Sequence, residues 1–411
     1  MRILIISQYF WPENFRINDL TAELVVRGHE VSILTGTPNY PSGEVFEVFK
    51  KNPKEFGNYM GASIYRIPVF SRGSGLVRLI LNYLSFVLSG CIFGALRLYK
   101  LAFDVILVYE PSPVTVGLPA IFLGKIKHAP IIFWVQDLWP DSLAAIGKVQ
   151  SKKTLAAIGL VVRFIYTNCA LILGQSQGFL LKISEYCTDP AKVRYFPNWA
   201  EEIFSFDSVT PAPELPTRKD FFNILFAGNL GEAQDFPAVL NAADLLRGDR
   251  AIRWIILGEG RMFDWLKKEV IRRKLEHSFL ILGGFPLERM PSFYMHADAL
   301  FLSLKSAPIY SITIPGKLQS YLMSGIPVLG MLDGEGAEII RNSNAGFVCP
   351  AGDFRQLVAI VNKMASLSNF ERKRLGGNGR EFALKEFSRQ TLVNRLEMWF
   401  SDIVRVSQIK D

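Results

Sequence analysis

An alternation of short apolar runs with helical patterns constrains this chain more than any other feature. The runs are ILIIS at residues 3–7, then Val31–Leu34, Ile64–Val69, Val105–Val108, Ile131–Val135, Leu171–Leu173 and Val193–Phe196. Between the first two, Ile17, Leu20, Leu24 and Val25 share one helical face, which Gly28 closes. Buried strands separated by helices need crossover connections, so the expected product is a parallel sheet covered on both faces. Residues 201–220 (EEIFSFDSVTPAPELPTRKD) break the pattern with three prolines and many polar groups, the composition of a linker. The alternation then restarts through FNILFAG, IRWIILGEG, FLILGG, ALFLSL and AGFVCP. Helices are expected from about Asp235, from Arg261, near Glu288 and from Asp353, where Gln356 has capping-box spacing. The expected architecture is α/β: two doubly wound parallel-sheet domains at 1–200 and 221–385, a linker at 201–220, and a helical end at 386–411 free to pack back across both.

Composition narrows the partners. With 49% hydrophobic and 20% charged residues the chain can bury two sizeable cores. A formal charge of +8 suits nucleotide phosphates, nucleic acid or an anionic membrane surface. No Lys/Arg-rich block or aromatic RNA-binding signature is present, so nucleic acid is not an expected partner. Cys91, Cys169, Cys187 and Cys349 lie far apart without CxxC spacing, which argues against a zinc site or a disulfide framework and for a reducing cytosol. His29, His128, His277 and His296 lack metal-ligand spacing and are expected to be structural. Met1 and Arg2 run straight into a strand, so secretion is not expected. The 18 residues Leu79–Leu96 carry no charge and stand between Arg72 and Arg78 on one side and Arg97 and Lys100 on the other. A spanning helix, a buried helix and a helix lying in the membrane interface all fit that stretch.

Ligands of open α/β sheets sit outside the carboxyl ends of the strands. In the second half the loops there are Gly228-Asn229-Leu230-Gly231-Glu232-Ala233-Gln234, Gly258-Glu259-Gly260-Arg261, Gly283-Gly284-Phe285, Leu304-Lys305-Ser306 and Thr313–Lys317. Glycines let backbone approach phosphate, and Arg261 and Lys317 add charge; each glycine alone is equally explained by a tight turn. None of these loops is a GxGxxG or Walker fingerprint, which removes support for a nicotinamide cofactor or an ATP-driven motor. In the first half, Tyr9-Phe10-Trp11-Pro12-Glu13-Asn14-Phe15-Arg16 combines aromatic faces with a carboxylate, an amide and a guanidinium, and Pro38-Asn39-Tyr40-Pro41-Ser42-Gly43 follows the second strand. Asp137, just past the run ending at Val135, is placed either to act as a general base or hydroxyl-positioning group, or to cap a helix.

The stretch Thr313–Gly330 (TIPGKLQSYLMSGIPVLG) carries the sharpest signal. Pro315 and Gly316 open a helix with Leu318, Tyr321 and Leu322 on one face, and Gly325 with Pro327 closes it before a buried strand. Lys317 therefore stands at a helix N-terminus, where unpaired N–H groups and the helix dipole favour an anion such as a diphosphate. A surface lysine on an ordinary α/β unit fits the stretch by itself.

RGHEV at 27–31, WVQDLWPDS at 134–142, FPNW at 196–199, LFAGNLGEAQ at 225–234, LGEGR at 257–261 and KLQSYLMSGIPV at 317–328 together resemble glycosyltransferase family 4, of the GT-B fold. YFWPENFRINDL, TPNYPSG and QDLWPDS are most similar to the bacterial branch that builds O-antigen or capsule, in particular L-fucosamine (N-acetyl-L-fucosamine) transferases and their colanic-acid relatives. The resemblance implies two Rossmann-like domains with a cleft between them, a nucleotide-sugar donor held mainly by the second and the acceptor mainly by the first; the expected donor is a UDP-sugar and the expected acceptor a lipid-diphosphate-linked saccharide. It also implies lipopolysaccharide or other polysaccharide biosynthesis with neither metal nor cofactor, and the convergent donor loops, the positive charge and the apolar stretch 79–96 together point to work at the inner face of the cytoplasmic membrane. Carried onto this chain, Gly228, Asn229, Gly231, Gln234, Gly258, Arg261, Gly316, Lys317 and Ser320 are expected at the donor, and Glu13, Asn14, Arg16, Asn39 and Tyr40 at the acceptor. Asp137, Lys317 and Arg261 are the expected catalytic residues.

The chain also departs from the family. Asn229 and Gln234 stand where many members have Arg and Lys, and Ile312 and Ser320 where they have two glutamates seven residues apart. The phosphate charge then falls on Lys317, Arg261 and backbone N–H groups, with Glu338 as a further candidate for ribose contact. The missing carboxylates leave open a non-catalytic GT-B nucleotide-binding scaffold, and the shared fold leaves open a UDP-sugar epimerase.

Overall fold

The computed structural model describes residues 1–73, 75–145, 149–200, 209–215, 221–248 and 252–410. The chain divides into two compact units, Met1–Phe196 together with Val393–Asp411, and Pro197–Leu392.

The first unit holds β1 (Arg2–Ile6), β2 (Glu30–Thr35), β3 (Asn58–Tyr59), β4 (Ala62–Arg66), β5 (Val105–Glu110), β6 (Ile131–Val135), β7 (Leu171–Gly174) and β8 (Val193–Tyr195). They form one sheet in the order β3-β4-β2-β1-β5-β6-β7-β8. All pairs are parallel except the edge pair β3/β4, an antiparallel hairpin that the apolar pattern does not announce. Strand order reverses between β1 and β5, so the crevice of this sheet opens at the carboxyl ends of those two strands. Every residue of β5 and β6 is buried, as strands covered on both faces require. Each fully buried Val, Ile or Leu there contributes roughly 1.5–3 kcal/mol. From Val393 onward the helix Arg389–Lys410 belongs to this unit. Glu397 on it accepts from Arg27 at 2.8 Å and pairs with His29 at 2.7 Å, while Trp399 stacks edge-on against Phe196.

The helix within the uncharged stretch runs further than expected, over Leu76–Arg97. It is long and apolar enough to cross a membrane by length and composition. Its inner stripe is nevertheless committed to protein. Asn82, Phe86, Gly90 and Gly94 are buried, and a Cβ on Gly90 would come within 2.7 Å of Pro119. The opposite stripe of Ile80, Leu84, Leu88, Ile92 and Leu96 is exposed, so the fully buried alternative does not hold.

The second unit holds β9 (Phe222–Ala227), β10 (Ile252–Leu257), β11 (Phe279–Gly283), β12 (Ala299–Ser303), β13 (Val328–Met331) and β14 (Gly346–Cys349). The sheet order is β11-β10-β9-β12-β13-β14, all parallel, with the reversal between β9 and β12. Its core gathers Ile224, Phe226, Trp254, Ile256 and Phe301 from the strands and Val239, Leu266, Leu357 and Val361 from the helices. The helices start where their caps dictate: Asp353 accepts from the Gln356 N–H at 2.9 Å, and Ser368 and Glu371 form a capping box. Of the linker expected at 201–220, residues 201–208 and 216–220 lie outside the described residues. Within 209–215, Ala212 is buried, its N–H donates to Ser292 O at 2.9 Å, and Glu214 pairs with Arg289.

Candidate functional site

At the reversal point of the second sheet, the loop after β9 is fastened on three sides. Gly228 N–H donates to Leu257 O, Leu230 N–H to Glu259 O at 2.7 Å, and Met262 N–H to Leu230 O, which ties the loop to the one after β10. Ser303 Oγ donates to Gln234 O at 2.6 Å and Lys305 N–H to Ala233 O at 2.7 Å, which ties it to β12. From the helix Gly316–Met323, the buried Tyr321 hydroxyl accepts from Ala227 N–H at 2.9 Å and donates to Ala227 O at 3.2 Å. Glycine is required twice here. A Cβ on Gly258 (φ +138°) would fall 1.9 Å from Gly228 O, and one on Gly228 (φ +137°) would fall 2.5 Å from Lys317 Cε.

The space at Gly228 is filled by the Lys317 side chain. Its Nζ is buried, sits 3.7 Å from the centre of the Phe226 ring, and has no hydrogen-bond partner among the described residues. Burial pushes the amine down to about 7. An ammonium stripped of water and offered only a π face is poorly solvated, so an anion placed against it gains more than it would at a surface lysine. Gly316, the first helical residue, is exposed, with open space where a Cβ would be. The helix opens on Pro315 without a side-chain cap.

Other expected donor residues stand around this seat in different ways. Gln234 turns inward, its Oε1 accepting from Gly231 N–H at 2.9 Å. Asn229 is exposed, its Oδ1 2.6 Å from where a Cβ on Gly260 would lie. Arg261 is exposed and in no ion pair among the described residues. Ser320 is buried on the Gly316–Met323 helix, and Glu338 is exposed in the first turn of Glu335–Asn342.

In the first unit a cavity of about 330 Å³ lies at the sheet's reversal point. Tyr9 and Phe15 (after β1), Tyr40 (after β2), Arg72 (after β4), Pro111 and Ser112 (after β5), and Asp137, Ser142 and Leu143 (after β6) line it, together with Leu79 and Tyr83 of the Leu76–Arg97 helix. Tyr9 packs on Phe15 and Tyr40, and the Arg72 guanidinium lies over the Tyr40 ring at 5.3 Å. The wall thus offers apolar ring faces, one cation and one carboxylate.

Asp137 receives a hydrogen bond from Trp139 Nε1 at 3.1 Å. Burial pushes its carboxyl above the ordinary range, against the pull of hydrogen bonds from Ser142, Trp139 and Ser112. Behind it lies Glu110, the last residue of β5 and fully buried. One Glu110 oxygen accepts from Asp137 N–H at 3.3 Å and the other has no hydrogen-bond partner among the described residues. Burial first, then the Asp137 charge, holds Glu110 well above the usual carboxylate range, so its neutral form is favoured.

Among the residues expected at the acceptor, Tyr40 lines the cavity. Glu13 is buried and its two oxygens accept from Phe10, Asn39 and Tyr40 N–H groups at 3.0, 2.8 and 2.7 Å; burial pushes it up to about 7. It works as a buried strut joining the loops after β1 and β2. Asn39 is a second strut, accepting from Arg72 N–H at 3.0 Å. Asn14 is exposed on the loop, and Arg16 opens the Arg16–Val26 helix, 3.7 Å from Asp19. Glu110, Arg72 and Tyr83 join the site only in the folded structure. Glu110 had a signal, since a carboxylate ending an apolar strand run lies at the edge where ligands bind. Among the described residues, no group of three or more His, Cys, Asp or Glu is placed to hold a metal.

Comparison with known proteins matches residues 14–199 to the glycosyl transferase 4-like domain and residues 212–382 to glycosyl transferases group 1. The putative colanic acid biosynthesis glycosyl transferase WcaI of Escherichia coli (strain K12) is 26% identical over 353 residues, 79% of this chain and 82% of that one. Among solved structures, Anabaena Alr3699/HepE in complex with UDP superposes with a TM-score of 0.71 at 13% identity, over 98% of this chain and all (100%) of that one. Sucrose-phosphate synthase from Thermosynechococcus elongatus gives 0.72 at 13% identity, over 99% and 100%.

Proposed function

With a glycosyl transferase 4-like domain followed by a group 1 glycosyl transferase domain, the chain is a glycosyltransferase of the GT-B fold, and we propose that it transfers a sugar from a UDP-sugar to a lipid-diphosphate-linked saccharide. N-acetyl-L-fucosamine is the sugar put forward, O-antigen or capsule the product, and the inner face of the cytoplasmic membrane the place. The carrying observation is the buried Lys317 ammonium, without a hydrogen-bond acceptor among the described residues, beside the uncapped start of Gly316–Met323. A diphosphate seated there supplies the missing anion, and the same charge stabilises the UDP that leaves as the sugar–phosphate bond breaks. UDP in the related HepE structure and the colanic-acid role in the name of WcaI support this choice of donor and pathway class.

On the acceptor side, ring faces pack against a sugar, and Asp137 orients the attacking hydroxyl and takes its proton as the new glycosidic bond forms. Glu110, held behind it, positions the Asp137 backbone and does not touch substrate. Leu79 and Tyr83 put one wall of the cavity on the helix whose outer stripe is exposed and apolar, which suits an acceptor presented by a lipid. Protein cations and a helix end take the part that a metal plays elsewhere, so transfer is expected to persist in chelator. Incubating the protein with radiolabelled UDP-sugars and lipid-linked acceptor is the test. Label moving into lipid with stoichiometric UDP release supports the reading, and no transfer or UDP release with any donor overturns it.

The place of Ser320 and Ile312, where the family resemblance puts glutamates, favours a second reading: a GT-B scaffold that binds nucleotide without turnover. Calorimetric UDP binding with no product from any donor and acceptor would select it.

A further inference from the structure

Three helices of the first unit lie side by side: Leu76–Arg97, Gly117–Lys127 and Lys152–Thr167. Cβ atoms placed on Gly90 and Gly94 would meet Pro119 and Leu123 at 2.7 and 3.4 Å, and one on Gly117 would meet Ile165 at 2.5 Å. The first and second helices are thus in close contact, as are the second and third. Opposite the buried stripe of the first helix, Ile80, Leu81, Leu84, Leu88, Ile92, Phe93 and Leu96 are each at least 41% exposed. Phe122 and Ile126 on the second helix and Leu160 and Phe164 on the third are equally exposed. Scattered exposed apolar residues are ordinary, whereas a band continued across three adjacent helices marks an interaction surface.

The charges on these helices have one sign. Not one of the three contains an Asp or a Glu. Arg78, Arg97, Lys125, Lys152, Lys153 and Arg163 are exposed, and none is in an ion pair among the described residues. Lys127 is the exception. Its ammonium donates to the carbonyls of Leu98, Tyr99 and Leu101 at 2.6–3.0 Å, which closes the end of the first helix. Elsewhere in the same unit, Arg16–Val26 and Gln177–Tyr186 mix both signs, so the lack of carboxylates is a property of this face and not of the chain.

We infer that these three helices form a face that docks on an anionic lipid bilayer, with the apolar stripe entering the acyl boundary and the cations lying at the headgroups. Leu and Ile rows flanked by Lys and Arg match that boundary in both polarity and charge. The first helix lies in the interface and does not span. Its inner stripe carries Asn82, whose amide accepts from Gln8 and donates to Phe70 O, both at 2.6 Å, and lipid cannot replace those partners. The inference rests on the lipid-linked acceptor proposed above and names the surface and the lipid charge that bring the protein to it.

The test is co-sedimentation of the full chain with vesicles of phosphatidylcholine alone or with about 30% phosphatidylglycerol. Binding to the anionic vesicles is expected to be at least about tenfold tighter, and to weaken as salt rises. Leu84→Ser with Leu88→Ser and Ile92→Ser, all exposed, should lower vesicle binding about tenfold or more without moving the thermal midpoint. Arg97→Glu with Lys125→Glu and Arg163→Glu should do the same through charge, and Val26→Ser, an exposed residue on another helix, should change nothing. Equal binding to both vesicle types, or serine variants that bind like the parent, would overturn the inference. So would a lipid-free dimer that the serine variants dissociate, since a second copy would then cover the face. Transfer to a detergent-dissolved acceptor separates this inference from the enzymatic reading. Transfer without vesicle binding refutes the surface alone, and vesicle binding without transfer supports the surface while refuting the enzyme.

Discussion

Near the carboxyl end of β9 the buried Lys317 ammonium has no hydrogen-bond partner among the described residues, whereas at the carboxyl ends of β5 and β6 the buried Glu110 carboxyl accepts from the backbone N–H of the half-buried Asp137. Both places are reversal points of doubly wound sheets, and both are built by loops tied to their neighbours through backbone hydrogen bonds. Desolvation acts on both and moves them oppositely. Lys317 falls to about 7, and Asp137 and Glu110 rise above the ordinary carboxylate range. The same topology thus holds a cation that burial drives toward neutrality at one edge and carboxyls that burial drives toward protonation at the other, the contrast on which the proposed transfer rests.

The largest test of this contrast is Lys317→Ala, expected to lower turnover by roughly two to three orders of magnitude, as loss of one electrostatic donor does. A fall below about threefold would show that backbone N–H groups suffice and that the buried charge is incidental. The same lysine gives a proton signature. In the free protein the amine, at about 7, is mostly neutral at pH 8, and a bound diphosphate restores its charge. UDP binding at pH 8 should therefore take up protons, seen in calorimetry as a heat that varies with buffer ionisation enthalpy and is lost in Lys317→Ala.

Next in size, Asp137→Asn should reduce kcat about a hundredfold with UDP affinity unchanged, because the group serves the other edge. In the parent, activity should fall as pH drops through a limb above the ordinary Asp value of about 3.9. A variant that loses UDP affinity instead would merge the two edges and break the comparison.

Gly228→Ala is expected to weaken UDP binding about tenfold. The added methyl occupies the space of Lys317 Cε and forces the ammonium to move, in a backbone conformation that strains any L side chain. Unchanged affinity would mean that the position of Lys317 does not matter.

The smallest effect concerns stability. Glu13→Gln replaces one of two accepting oxygens with a donor facing backbone N–H groups, at a cost of about 1–3 kcal/mol read from denaturation at pH 7. The sign with pH follows from a folded value of about 7 against an ordinary 4.5. Between those values the native state binds more protons than the unfolded one, so this residue's contribution is largest below pH 4.5 and shrinks as pH rises through 7. The variant should lose that slope.

Local pattern carried much of this molecule. The strand runs, the crossover helices, the Asp353 cap and the helix opening at Gly316 follow from periodicity and turn chemistry within a few residues, and those signals survive in a linear sequence. Lys317 and Asp137 were also found this way, because strand ends and helix starts can be located without knowing what packs around them. Their burial and their partners could not be found so. Lys317 loses its water only because Gly228 and Phe226, some ninety residues earlier, close over it. Glu13 resembled an acceptor contact until the loop after β2 supplied two more N–H donors. The uncharged helix at 76–97 fits three different placements by composition, and only its contacts show that one stripe is packed on protein while the opposite one is exposed. Sequence by itself determined the two sheets and the edges where chemistry must lie, since hydrophobic period and glycine placement are short-range constraints. Only the tertiary structure decided which of those charges are buried and unpaired, because desolvation depends on residues that are distant in the chain and adjacent in space.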